Sequence, residues 1–368
     1  MGKEKVKISI IVPCFNMARY VERCIHSLTH QTLRDIEIIC INDASTDDTL
    51  AVLNKCAHND SRIRVISLDK NVGVSTARNI GIKNAHGVYV GFVDGDDYVD
   101  VDFYENLYNS SENESIEIVK GRLRRFVGNY VLYDGHDAAK GNKYEFKYCF
   151  TSAIYNREML ITNNIFFPDG IAVAEDIFFL MRAVYFAARV RVIDCGFYNY
   201  VRRTDSVDSG VYSHAKIMDA LSVADNLMAW LNTTKDISEM NMAILYRRVL
   251  DVCTNLFPLT GADVSMRNIA AAIIHLYQIS ARPVVWSRIL SRKQLRAISG
   301  KDIVDVICAF NTKTTRGRLF GCVPFITVHH TPVYQTRVYL WRYIPLYGIR
   351  RGDKTTITLF NIPVLRIK

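Results

Sequence analysis

Four apolar runs, each ending in polar or acidic residues, alternate with stretches of helical period through the first hundred residues. Lys7 to Phe15 is nearly continuous in apolar side chains, as in a parallel strand covered on both faces, and Pro13 closes it. Arg19 to His30 then places Tyr20, Cys24, Ile25 and Leu28 at helical spacing. Ile36 to Ile41 predicts a second buried strand, ending in Asn42 and Asp43. Ser45 and Thr46, followed by Asp47 and Asp48, predict a helix start with acids in its first turn, and Leu50, Leu53 and Ala57 supply its inner face. Ile63 to Leu68 is a third strand, ending at Asp69. The turn Asn71, Val72, Gly73 leads into a helix over 74–85, and Val88 to Val93 is a fourth strand that stops at Asp94, Gly95, Asp96 and Asp97.

Strands alternating with helices predict an α/β fold with an open, mostly parallel, Rossmann-like sheet. Ligands of such sheets sit beyond the carboxyl ends of the strands. Phe15, Asp43, Asp69 and the Asp94 to Asp97 cluster all fall there. No Gly-x-Gly-x-x-Gly follows the first strand and no Walker loop is present, which weighs against a dinucleotide-binding or P-loop protein.

The pattern changes after Tyr98. A short helix over 102–110 is followed by strands over 116–127 and 129–133, a loop over 166–176, an apolar helix over 177–188 and a strand over 191–200. From Ser213 the period is helical, with segments near 215–231, 238–257 and 264–279 and a less regular stretch over 284–310. These shifts predict three domains: 1–212 around the sheet, 213–310 helical, and 311–368 as a basic, aromatic tail suited to a membrane surface or an acceptor. No internal repeat is apparent.

Composition narrows the class. The chain has 368 residues, 49% hydrophobic and 23% charged, which is enough for real cores and near the globular average. Nine scattered cysteines without metal-ligand spacing suggest thiols in a reducing compartment. The basic start and short apolar run at the N-terminus are too short for a signal peptide, and no segment is long enough to span a bilayer. A cytoplasmic protein is expected, peripheral on the inner face of the cytoplasmic membrane if the tail engages it. The net charge of +9 is concentrated beyond Thr312, where only Asp353 opposes many Lys and Arg. Such a tail suits anionic partners, phospholipid headgroups or phosphorylated substrates among them, and no nucleic-acid partner is expected for the chain.

Three carboxylates within four residues at the end of a buried strand cannot be core, because burying each unpaired would cost several kcal/mol. They call for an opening and a cation, and a metal ion carrying a phosphorylated ligand is the simplest one.

Six segments together resemble the bacterial family 2 glycosyltransferases, which have the GT-A fold: SIIVPCFN (9–16), INDASTDDT (41–49), NVGVSTARNIGI (71–82), VDGDDYV (93–99), AEDIFFLMR (174–182) and YNYVRRTDSV (198–207). The resemblance implies a metal-dependent, inverting transfer of a hexosyl or N-acetylhexosaminyl group in assembly of a bacterial surface polysaccharide or glycolipid. The donor would be a nucleotide-sugar, with UDP favoured, and the acceptor a glycan or lipid-linked sugar. It also implies Asp96 and Asp94 as ligands of Mn²⁺ or Mg²⁺, with Asp94 near the ribose and Asp97 in support. Asp43 would accept a hydrogen bond from the base, with Pro13 and Phe15 lining that pocket and Phe15 stacking. Arg78 would support the base or diphosphate, and Arg203 would reach the diphosphate from a closing loop. Asp176 would be the general base, with Glu175 orienting it. A nucleotidyltransferase or a non-catalytic sugar-nucleotide-binding protein would use many of the same groups.

Overall fold

The computed structural model describes residues 5–127, 130–135, 142–144, 149–202, 212–256, 259–260, 263–310 and six strands between 313 and 367, for which backbone and register are given. It divides into two compact units, Met1–Gly210 and Val211–Lys368.

Unit 1 runs β1 (Ile8–Cys14), α1 (Val21–Thr29), β2 (Ile36–Asn42), α2 (Thr49–Asn59), β3 (Ile63–Ser67), α3 (Val74–Asn84), β4 (Tyr89–Phe92), β5 (Tyr98–Val99), α4 (Phe103–Asn109), β6 (Ile118–Val127), β7 (Tyr130–Gly135), β8 (Ala153–Asn156), α5 (Arg157–Thr162), α6 (Glu175–Phe186) and β9 (Val190–Arg202). The four predicted strands form the parallel half, ordered β3-β2-β1-β4. β8, which the sequence reading did not anticipate, pairs antiparallel with β4 and carries the sheet on to β6, β9 and β5. This second half is mixed in direction.

Both faces of the sheet are covered. Ile8, Ile10, Val12 and Cys14 of β1 pack toward α1, α2 and α4 through Val21, Leu28, Leu53 and Phe103. Ile11, with Val90 and Phe92 of β4, packs toward α3, α5 and α6 through Ala77, Leu160 and Phe179. This explains why β1 reads as a continuous apolar run rather than an alternating one. The start of α2 departs from expectation. Asp47, not Ser45 or Thr46, accepts from the Thr49 amide at 3.0 Å. Ser45 accepts from the Asn16 amide and Thr46 donates to the Asn16 side chain, so the loops after β1 and β2 are tied together.

Unit 2 begins with helices α7 (His214–Thr233), α8 (Glu239–Thr254), α9 (Asp263–Ile279), α10 (Pro283–Ile289), α11 (Arg292–Gly300) and α12 (Ile303–Phe310). Trp286 of α10 is fully buried against Tyr246 and Tyr277. The expected tail is an antiparallel sheet in sequence order, β10 (Lys313–Leu319), β11 (Val323–His330), β12 (Gln335–Leu340), β13 (Ile344–Arg351), β14 (Lys354–Leu359) and β15 (Ile362–Ile367).

This sheet corrects the reading that no repeat is present. Leu319, Leu340 and Leu359 each end the first strand of a hairpin, and Pro324, Pro345 and Pro363 each stand second in the returning strand. Three hairpin units therefore repeat. Proline lacks the ladder donor, and two of the three disturb the pairing: the register shifts at Gly317/Arg318, opposite Pro324, and at Ile357/Thr358, opposite Pro363. Units this short and degenerate carry too weak a period to stand out before the strands are paired.

Candidate active site

α3 is the spine of the site. Gly73 precedes it with φ +85, a left-handed backbone that favours glycine. Asp43, buried at the end of β2, accepts from the Val72 amide at 2.7 Å and the Gly73 amide at 2.9 Å, so its carboxylate closes the turn into the helix. Further along α3, Ser75 donates to the Ile171 carbonyl, and Asn79 both donates to the Phe167 carbonyl and accepts from the Phe167 amide. Thr76 and Asn79 also donate to Asp169 at 3.1 Å. The loop that delivers Glu175 and Asp176 is thereby pinned to the helix that carries Arg78.

Arg78 is the centre of the arrangement. Its guanidinium donates to Asp94 at 2.8 Å and to Glu175 at 3.0 Å, and lies over the rings of Phe150 and Phe167. Burial works against its charge, but the two carboxylates outweigh burial and raise its pKa. The resemblance implies that Arg78 supports the base or diphosphate; its guanidinium here joins the β4 end to the head of α6. Asp94 keeps about a third of its side chain exposed, at 31%, and Asp96 is also partly exposed.

Asp97 is expected to support Asp94 and Asp96. It is buried, accepting from the Tyr198 hydroxyl at 2.6 Å and from the Val201 amide at 2.8 Å. The Asp94 amide in turn donates to the Tyr198 oxygen at 3.2 Å. Burial and the charges of Asp96 and Asp94 raise the Asp97 carboxyl well above its ordinary range, against the pull of those two hydrogen bonds. Asp97 thus fixes the loop that presents Asp94 and Asp96.

At α6, Ala174 takes a left-handed backbone, φ +65, and turns the chain so that Glu175 and Asp176 occupy the first helical turn. A non-glycine residue there is strained by about 1–2 kcal/mol, the kind of outlier found at functional sites. Burial raises the Glu175 carboxyl to about 7, the adjacent Asp176 charge adds to the rise, and Arg78 opposes it. Asp176 is partly exposed and accepts from the Ile177 amide at 2.8 Å.

Of the remaining candidates, Pro13 is buried in β1 and Phe15, at the edge beside it, is 43% exposed. Arg203 lies outside the described residues. Arg23 was not singled out by the sequence, yet it donates to the Asp96 carbonyl at 2.5 Å and stacks over Tyr98. Tyr198, Asn79 and Asp169 were also missed as positioning residues. Tyr198 and Asn79 lie inside quoted motifs, but only their partners reveal what they do. Among the described residues no group of three His, Cys, Asp or Glu side chains could hold a metal by itself.

Asp94, at the end of β4, is thus joined through the buried Arg78 to Glu175 at the head of α6. The glycosyl transferase family 2 profile matches residues 9–185. The glycosyltransferase EpsJ of Bacillus subtilis, its own role uncharacterised, is 36% identical over 56% of this chain and 64% of its own length. The cholesterol galactosyltransferase of Borreliella burgdorferi is 30% identical over 61% of this chain and 68% of its own. The crystal structure of S. aureus TarS 1-349 with UDP-GlcNAc superposes with a TM-score of 0.69 at 21% identity, over 94% of this chain and all of that one, which shows the fold. The chain belongs to glycosyltransferase family 2. It spans less than two thirds of EpsJ.

No described helix is long and apolar enough to cross a membrane.

Proposed function

We propose that this chain transfers a sugar from a UDP-sugar to an acceptor hydroxyl, with inversion and with a divalent metal, in assembly of a bacterial surface polysaccharide or glycolipid at the inner face of the cytoplasmic membrane. The observation that carries the reading is the Asp94–Arg78–Glu175 bridge, because it holds donor-side and acceptor-side carboxylates in one site. The TarS fold accommodates UDP-GlcNAc, which supports the uridine donor. A relative named for galactosyl transfer to cholesterol supports a lipid-borne acceptor.

Asp96 and Asp94 fit Mn²⁺ or Mg²⁺. Both are hard oxygen donors, both are partly exposed, and such ions are commonly held by one or two carboxylates with substrate phosphates completing the shell. When bound, the metal neutralises the charge that builds on the leaving diphosphate. The exposed Phe15 ring would stack on the base. Asp43, already fixing the turn before α3, would meet the base through its remaining lone pairs. Asp176 would take the proton of the acceptor hydroxyl as the anomeric carbon is attacked from the side opposite the nucleotide. Glu175, held by Arg78, would keep Asp176 in place. Arg203 would reach the diphosphate. Residues 213–310 would form a helical domain and 311–368 the acceptor or membrane segment.

Thermal shift with a panel of nucleotide sugars, with and without Mn²⁺, tests the donor side. A metal-dependent rise in Tm with a UDP-sugar is expected, and no metal-dependent shift with any donor would sink the reading. Turnover should release free UDP. Pyrophosphate release would instead identify nucleotidyl transfer.

A further inference from the structure

The net charge of +9 is confined to one part of the chain. Lys and Arg balance Asp and Glu over residues 1–310, whereas residues 311–368 hold ten Lys and Arg against Asp353 alone. The whole excess therefore falls in the segment that forms β10–β15, and none of those six strands contains an acidic residue.

Register sorts this charge by face, since directly paired residues in an antiparallel sheet share a face and neighbours along a strand alternate. Thr327 pairs with Arg316 and with Tyr339, Arg337 pairs with Tyr347, Arg351 with Lys354, and Thr356 with Ile349 and Arg366. These pairs place Arg316, Arg337, Arg351, Lys354 and Arg366 on one face, together with Tyr339 and Tyr347. The opposite face takes Ile326, Val328, Val338, Leu346, Ile357 and Leu365, with Lys313 and Arg350 near strand ends and Arg318, paired with Pro324, beside the register shift. Alternation of this kind is common to antiparallel sheets with one solvated face; what sets this face apart is that all its charge is of one sign. Most of the aliphatic residues thus lie on one side, and five of the eight Lys and Arg of the strands lie on the other.

We propose that the basic, tyrosine-bearing face of the β10–β15 sheet docks on the surface of an anionic phospholipid bilayer. Charge complementarity selects the occupant: five cationic positions on one face, with no acid among the strands, match a plane of negative headgroups better than a protein partner of mixed charge. Each Lys or Arg near such a surface adds attraction that falls off within a Debye length, and tyrosine is enriched at the headgroup level. The inference deepens the membrane-side reading above, but its test reads partition rather than turnover, so either can fail without the other.

The test is flotation of the full chain with phosphatidylcholine vesicles, with and without phosphatidylglycerol. Binding is expected only with phosphatidylglycerol and should weaken as NaCl is raised. In the variant Arg337→Ser/Arg351→Ser/Arg366→Ser the partition coefficient should fall about a hundredfold. The control Arg292→Ser/Lys293→Ser/Arg296→Ser removes equal charge from exposed positions of α11 and should retain most of the wild-type binding. Equal binding of wild type to both vesicle types, no binding to either, or equal losses in the two triple variants would each overturn the proposal. Should the sheet variant fail to fold, the wild-type lipid and salt dependence still decides. Retention on an RNA column with no vesicle binding would point to a different polyanion and would overturn it as well.

Discussion

Removing the Arg78 guanidinium would leave Asp94 and Glu175 facing a site without their shared cation. Breaking a buried ion pair by deleting one partner typically costs about 3–5 kcal/mol, so Arg78→Met should lower urea stability on that order. Arg78→Lys should recover only part, because an ammonium lacks the planar fork that reaches both acids. Asp176→Asn should reduce transfer by at least about a hundredfold while leaving UDP-sugar affinity in calorimetry unchanged. Retained transfer would remove Asp176 from the mechanism. Glu175 makes a pH prediction. Its folded carboxyl titrates near 7 against an ordinary 4.5, so between those values the folded protein holds a proton that the unfolded chain has released. This contribution to stability is full below 4.5 and lost as pH rises toward 7. Activity should run the other way, since an ionised Glu175 is the better partner for Arg78. Glu175→Gln should flatten the rise of kcat/KM near pH 7 and reduce the fall in Tm across the same window.

Among the elements, the β6–β9 pair is parallel but not regular. Lys120 pairs with Val192 and Arg122 with Phe197, so β9 bulges over Ile193 to Gly196 opposite Gly121. Gly196 has φ +72, and a Cβ on Gly121 would lie 2.8 Å from the Gly196 carbonyl oxygen. Backbone meets backbone there, with no flexible side chain to yield. Gly121→Ala should therefore destabilise by about 1–3 kcal/mol in chemical denaturation. The bulge also sets the register that brings Tyr198 to Asp97, so the same variant should weaken binding of a UDP-sugar. Hydrophobic period predicted both strands but not the bulge, because Gly121 and Gly196 mark it only once the two segments are known to be neighbours.

At the scale of the whole molecule, charge and architecture separate. The nearly neutral first 310 residues contain the candidate site, and the basic sheet lies beyond them. If the two serve one reaction, anionic vesicles should accelerate transfer to a lipid-borne acceptor and leave transfer to a water-soluble acceptor unchanged. Kinetics with matched acceptors, with and without phosphatidylglycerol vesicles, would check this, and the acceleration should disappear at high salt.

The sequence by itself determined the parallel half of the sheet, because strands covered on both faces must be apolar throughout and their polar ends must fall at the ligand edge. It also pointed to the acids at the end of β4, since unpaired carboxylates closing a buried strand need an opening and a cation. Only the tertiary structure decided how those acids are shared out. Asp97 turns inward to Tyr198, and Arg78 serves Asp94 and Glu175. These pairings span from sixteen to about a hundred residues of chain, so no local pattern could specify them. The same holds for the last segment, where short repeated hairpins read as a basic tail until their register divided charge from aliphatic surface.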